Sequence, residues 1–126
     1  MLRPGITVIG VTDLPRAEEF WTSALNLVSG QEWESDTWRT LFHADGSGHA
    51  LGLMLSESKP EPHPRVHLDL FVDTTAEQEA EVERLVALGA RRVDWDLYPP
   101  NADFVVLADP DDNIFCVVDL SRAPSI

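Results

Sequence analysis

The hydrophobic and polar positions of this chain switch between two periods, and they do so twice in the same order. Residues 6–12 read Ile-Thr-Val-Ile-Gly-Val-Thr, a β-branched run that predicts a strand. Asp13 follows, with a carboxylate that can accept the free N–H groups of a helix start. Pro15 falls in the first turn, where a missing N–H costs little. Ala17, Phe20, Trp21, Ala24 and Leu25 then recur at helical spacing and predict a helix that fades near Asn26, with Trp21 in its core face. Shorter strands are expected at about 28–34, 38–44 and 50–56, the last two joined by the turn cluster Asp45-Gly46-Ser47-Gly48.

Lys59-Pro60-Glu61-Pro62-His63-Pro64 interrupts the pattern. Alternating prolines fix φ and remove donors, so this is an extended connector. After it the order repeats. A strand is expected at 65–73, and Thr75-Ala76-Glu77-Gln78 fits a capping box. The helix should run to about Leu88 with Val82, Leu85 and Val86 on its core side, and Gly89 suits the left-handed C-terminal position. Strands are expected at 92–96, 104–108 and 113–119, with Asp109-Pro110-Asp111-Asp112-Asn113 as the turn before the last. Setting Asp13 against Asp73 gives an offset of 60, which places Thr7 opposite His67, Ile9 opposite Asp69 and Val11 opposite Phe71. The expected organisation is one domain, with module one at about 5–57, a connector at 58–64 and module two at about 65–120.

Composition narrows the function classes. At 126 residues and 44% apolar content, the chain can bury roughly two-thirds of its unfolded surface without staples. A single cysteine, Cys116, permits no intrachain disulfide and fits a reducing cytoplasm. The first residues, Met1-Leu2-Arg3-Pro4, lack the apolar run of a signal peptide, and no stretch approaches the roughly 18 apolar residues of a membrane span. Nine Lys+Arg against 22 Asp+Glu give a net charge of −13, which argues against nucleic acid and anionic membranes; the acids serve solubility or leave room for a cationic ligand.

Several segments resemble the vicinal-oxygen-chelate superfamily of glyoxalase/bleomycin-resistance proteins. They are Thr12-Asp13-Leu14-Pro15-Arg16-Ala17 with Phe20-Trp21, Pro64-Arg65-Val66-His67-Leu68-Asp69-Leu70, the run from Glu81 to Ala90, and the run from Val106 to Cys116. The resemblance implies an α+β fold of two βαβββ modules, whose curled mixed sheets surround a ligand cup with the helices outside. It also implies a homodimer. Members include metal-dependent lyases, isomerases and ring-cleaving dioxygenases, and also proteins that bind a drug without metal or catalysis.

The resemblance also says where a metal would sit, on the first and last strands of each module. Module one has Thr7 at the first position and Leu51-Gly52-Leu53-Met54 on its last strand, a poor donor set. Module two has His67, and Cys116 replaces the usual closing carboxylate. Asp69 lies two residues from His67 on the same face, so two or three donors could hold zinc with help from a partner chain. The expected metal site is therefore incomplete and no cofactor is expected, with a divalent metal on His67 and Cys116 as the alternative.

Alternation puts His67, Asp69 and Phe71 on one strand face, towards the cup, and Val66, Leu68, Leu70 and Val72 on the other, towards the helix. The expected ligand-binding residues are Thr7, Ile9, Trp38, His67, Asp69, Phe71, Trp95 and Cys116, with His67 as the candidate general base. Trp33, Trp38, Trp95 and Tyr98 could stack a planar ligand or serve as core. Glu77, Glu79, Glu81 and Glu83 read as a solvated helix face. Nothing groups His43, His49 and His63. The leading expectation is a small-molecule binder of the glyoxalase/bleomycin-resistance type. The alternative is a metal-dependent enzyme of the same superfamily using His67.

Overall fold

The structure, a computed structural model, describes residues 1–122. The chain divides into two compact units, Met1–Lys59 and Pro60–Ile126. The first unit runs β1 (Thr7–Val11), α1 (Leu14–Leu25), β2 (Leu27–Ser29), a short 3₁₀ turn (Gln31–Trp33), β3 (Trp38–His43) and β4 (His49–Leu55). The second runs β5 (Leu68–Val72), α2 (Thr75–Leu88), β6 (Arg91–Arg92), β7 (Phe104–Ala108) and β8 (Ile114–Asp119). Each unit is one mixed four-stranded sheet with one helix, in the orders β1-β4-β3-β2 and β5-β8-β7-β6. In both, the first strand lies parallel to the last, so each is a βαβββ module of an α+β fold.

The helix starts follow local chemistry. Asp13 Oδ1 accepts the Arg16 N–H at 3.1 Å, and α1 ends where Asn26 turns left-handed at φ 53°. Leu14, Ala17, Phe20, Trp21 and Ala24 are its buried stripe, on the sheet face that carries Val11, Leu41, Leu51 and Leu53. The α2 start sits one residue earlier than a capping box at Thr75 requires. Thr74 caps it, accepting the Glu77 N–H at 3.1 Å, while Glu77 Oε2 accepts the Asp73 N–H. Thr75 instead donates to Asp119 Oδ2 at 2.6 Å. Gln78 is buried beside Val82 and Leu85, and Val86 is exposed.

Three strands are shorter than their sequences suggest. β2 stops at Ser29 because Gly30 passes its N–H to Thr40 O and the chain then coils through Trp33 N–H to Gly30 O. β6 stops at Arg92 because Trp95 N–H folds back on Val93 O at 2.9 Å, which removes Trp95 from any ladder. β5 begins at Leu68, paired with Phe115, because β8 begins at Ile114 and leaves little opposite residues 65–67.

The same hydrogen bond closes each module: Ser56 N–H to Val11 O, and Leu120 N–H to Val72 O, both 2.9 Å. Val11 therefore answers to Val72, and the cap Asp13 to the cap Thr74, a repeat of 61 rather than 60. One residue of slip exchanges the two faces of a strand. On the true register Ile6 answers to His67 and Val8 to Asp69, whereas Thr7 and Ile9 answer to Leu68 and Leu70. The pairs Val8↔Gly52 and Asp69↔Cys116 make Gly52 the counterpart of Cys116.

Candidate functional site

In the second unit, the sheet face away from α2 is built by strand alternation. Asp69 of β5 lies beside Cys116 of β8, which lies beside Val106 of β7; Val118 lies beside Phe104. Val106, Cys116 and Val118 are buried together, and Val93, Trp95, Phe104 and Ile114 pack against them. Tyr98 fixes one edge, its hydroxyl accepting the Val106 N–H at 2.7 Å and its ring 5.3 Å from Phe104. A cavity of about 370 Å³ opens on this face. Its walls are Trp95, Leu97, Phe104, Ile114 and Val118, and its polar groups are His67, Asp69, Asp103 and Cys116.

His67 sits one residue before β5, and its Nε2 is 3.1 Å from Asp69 Oδ1. The ligand atoms of His67, Asp69 and Cys116 all lie within 4.8 Å of one another. Burial pushes the Cys116 thiol up to about 12, and the adjacent Asp69 carboxylate adds to the effect. The shift favours the neutral thiol over the thiolate and makes the sulfur a weaker nucleophile than a free cysteine. The backbone of the cavity's Asp103 is pinned from behind, because its carbonyl accepts both the Gln78 side-chain amide at 3.1 Å and the Asp119 N–H at 2.8 Å.

Of the expected ligand residues, the structure brings His67, Asp69, Trp95 and Cys116 to this one cavity. Phe71 is on the same strand face by alternation but is 65% exposed and outside the lining. Trp38 belongs to a separate cavity of about 560 Å³ in the first unit, with Ile6, Trp33, Thr40, Phe42 and His49. Its indole N–H donates to Thr40 Oγ1 at 2.7 Å. Thr7 and Ile9 do not line that cavity. They lie on the face of Val11, paired with Leu51 and Leu53, while Ile6 takes the cavity side. The positions matching His67, Asp69 and Cys116 are thus Ile6, Val8 and Gly52, and the space over Gly52 is filled by the Trp38 ring.

Sequence reasoning passed over Leu97, Asp103, Phe104, Ile114 and Val118. Period-two alternation out from Cys116 marks Ile114 and Val118, but Leu97 and Asp103 lie on a loop with no periodic signal. It also left His63 ungrouped. His63 Nε2 is 2.7 Å from Asp96 Oδ1, holding that carboxyl below its usual range, and its ring is 5.0 Å from Trp95. Both residues border a further cavity of about 520 Å³ that shares Trp95 and Ile114 with the first. His49 likewise has a ring neighbour, Phe42, at 5.6 Å. Asp109 makes the expected turn, with Oδ1 accepting the N–H groups of Asp111 and Asn113 at 2.9 Å.

A fold of two βαβββ modules defines a class, and the comparisons agree on that fold. Residues 6–118 match the glyoxalase-like domain family, and the chain belongs to it. No curated protein matches. Among solved structures, a glyoxalase/bleomycin resistance protein/dioxygenase family enzyme from Burkholderia phytofirmans is similar at 18% identity, with a TM-score of 0.72 over 92% of this chain and 97% of that one. A protein from Agrobacterium tumefaciens is similar at 21% identity and a TM-score of 0.72, over 94% and 98%. The fosfomycin resistance protein FosX of Listeria monocytogenes, solved with Mn(II) and sulfate, is similar at 17% identity and a TM-score of 0.71, over 97% and 94%. Such likenesses concern the fold. Among the described residues, no helix is long and apolar enough to cross a membrane.

The residues present can be tested against the divalent ion associated with this superfamily. Imidazole, carboxylate and thiol donors within 4.8 Å of one another suit a borderline ion with nitrogen and sulfur affinity. His67, Asp69 and Cys116 would hold it. When bound, such an ion would polarise an oxygen on a ligand or lower the pKa of a water.

Proposed function

We propose that this protein binds a small organic molecule, cationic and partly planar, in the cavity of the second module, as a binding protein of the glyoxalase/bleomycin-resistance type. One observation carries the reading: a cavity of about 370 Å³ whose apolar and aromatic walls converge on a few polar groups. Trp95 and Phe104 offer π faces, and Asp69 and Asp103 offer carboxylates, which is the chemistry that recognises an organic cation. The net charge of −13 raises the local concentration of such a ligand. Recognition of this kind needs no metal. The same reading makes the protein a homodimer of the cytoplasm, the first by family resemblance and the second because its single cysteine needs no oxidising compartment.

The test is a panel of cationic aromatic compounds, bleomycin-like drugs included, screened by thermal shift on EDTA-treated protein. A ligand at a hundred times its dissociation constant adds about 2.7 kcal/mol. Asp69→Asn and Trp95→Ala should each weaken a hit at least about tenfold, converting roughly 1.4 kcal/mol of lost contact. A panel without a hit at saturating concentration overturns the reading.

The donor trio favours a second reading, a metal-dependent lyase, isomerase or dioxygenase. In it His67, Asp69 and Cys116 would hold the ion, and Asp103 would orient a carbonyl or hydroxylated substrate. Turnover that follows metal content, and is absent from His67→Ala, would select this reading over the first.

A further inference from the structure

We propose that the ligand of the second module is a dication, whose second positive group is held in the neighbouring cavity that shares Trp95. The proposal rests on the binding reading above and adds the number and spacing of the ligand's charges.

The wall common to the two cavities is set by a backbone turn. Trp95 N–H bonds back to Val93 O at 2.9 Å, which takes Trp95 out of the ladder after β6, and Trp95 packs on the cluster of Val106, Cys116 and Val118. Trp95 and Ile114 thereby line both the cavity of about 370 Å³ and its neighbour of about 520 Å³. One wall of the neighbour is the connector. Pro60 and Pro62 restrict its φ angles, and His63 ties it down, with Nε2 2.7 Å from Asp96 Oδ1 and its ring 5.0 Å from that of Trp95. A wall fixed in advance does not have to be ordered when a ligand arrives.

Charge decides what the neighbouring cavity takes. Its lining holds the carboxylates of Glu61, Asp94, Asp96 and Asp112 against Arg91 and His63. Arg91 is matched by Asp112 at 3.0 Å, and His63 by Asp96. Glu61 and Asp94 have no ion-pair partner among the described residues. Their negative charges stand in a cavity with an indole wall, which suits an organic cation and repels an anion. Both side chains are exposed, so each contact is individually modest. The gain comes from joining this cavity and the first in one molecule. Asp69 pairs with Cys116; Ile114 lies two residues back along β8, and Asp112 two residues further, in the turn. Two to four strand residues span about 7–13 Å, which is the expected spacing of the ligand's charges, with a planar section against Trp95 between them.

The experiment is calorimetric titration of the EDTA-treated full chain with a biphenyl diamidine and with the biphenyl monoamidine. The diamidine should bind at least about tenfold more tightly. The double variant Glu61→Gln/Asp94→Asn should bring the two compounds to within about threefold of each other. Glu79→Gln/Glu83→Gln removes the same charge from exposed positions on α2 and should keep the gap, which separates local contacts from the general field of an acidic protein. Circular dichroism confirms that each variant is folded. Equal binding of the two compounds, a gap that survives Glu61→Gln/Asp94→Asn, or a gap lost equally in Glu79→Gln/Glu83→Gln overturns the proposal and leaves the binding reading standing. Absence of binding by either compound, together with a panel that gives no hit, overturns both.

Discussion

Gln78 is a polar side chain placed where an apolar one is expected, and its substitution tests how the helix is tied to the site. It is 6% exposed, and its Nε2 donates to Val117 O at 3.0 Å and to Asp103 O at 3.1 Å. One amide thus joins α2 to the central strand and to the loop that brings Asp103 to the cavity. Each bond is worth about 0.5–1.5 kcal/mol net, so Gln78→Leu should lose about 1–3 kcal/mol. Greater apolar burial of leucine offsets part of this, leaving about 1–2 kcal/mol. Gln78→Glu would set a carboxylate against two carbonyl oxygens, at a cost of about 3 kcal/mol or more at pH 7. Its folded-state pKa must then rise above the ordinary value of about 4.3, so the penalty is absent below that pH and grows as pH rises towards the folded value. Urea unfolding followed by tryptophan fluorescence at pH 4.5 and pH 7 measures both, and each kcal/mol should lower the midpoint temperature by roughly 3–5 °C. The reasoning is refuted if Gln78→Leu lies within about 0.5 kcal/mol of wild type, or if Gln78→Glu is no worse than Gln78→Leu at pH 7.

Three further outcomes are expected. Gly52→Ala would place a Cβ 2.5 Å from Trp38 Cη2 and 2.8 Å from Cζ2, so it should cost about 1–3 kcal/mol by overpacking. The double variant with Trp38→Ala should recover part of that loss in a urea-denaturation cycle. Cys116, with its thiol near 12, should resist iodoacetamide at pH 8 in folded, EDTA-treated protein and react once urea unfolds it, as mass spectrometry would record. Asp119 is buried, and the hydroxyls of Ser121 and Thr75 hold its carboxyl below the usual range. Its stabilising contribution is therefore present above about pH 4 and lost as pH falls through the folded value, so Asp119→Asn should flatten the acid limb of the stability profile measured by chemical denaturation.

The two-module order was legible in the sequence because it rests on local signals. Asp13 before Pro15, the stripe from Ala17 to Ala24, and Gly89 at the end of α2 each act over a few residues. The role of His67, Asp69 and Cys116 as a possible group followed from alternation and family resemblance. What could not be read was register. The Asp13 and Asp73 match suggested a repeat of 60, whereas the inter-strand hydrogen bonds give 61, and the difference moves Thr7 and Ile9 to the helix side and Ile6 and Val8 to the other. Side-chain partners far along the chain were equally hidden. Gln78 looks like a cap because its sequence neighbours do; its actual acceptors, Asp103 and Val117, lie 25 and 39 residues away. The sequence by itself determined the elements and which module carries donors, since both are properties of short segments. The tertiary structure decided which face those donors occupy and that three of them meet at one cavity, because strand pairing and packing join residues that share no local signal.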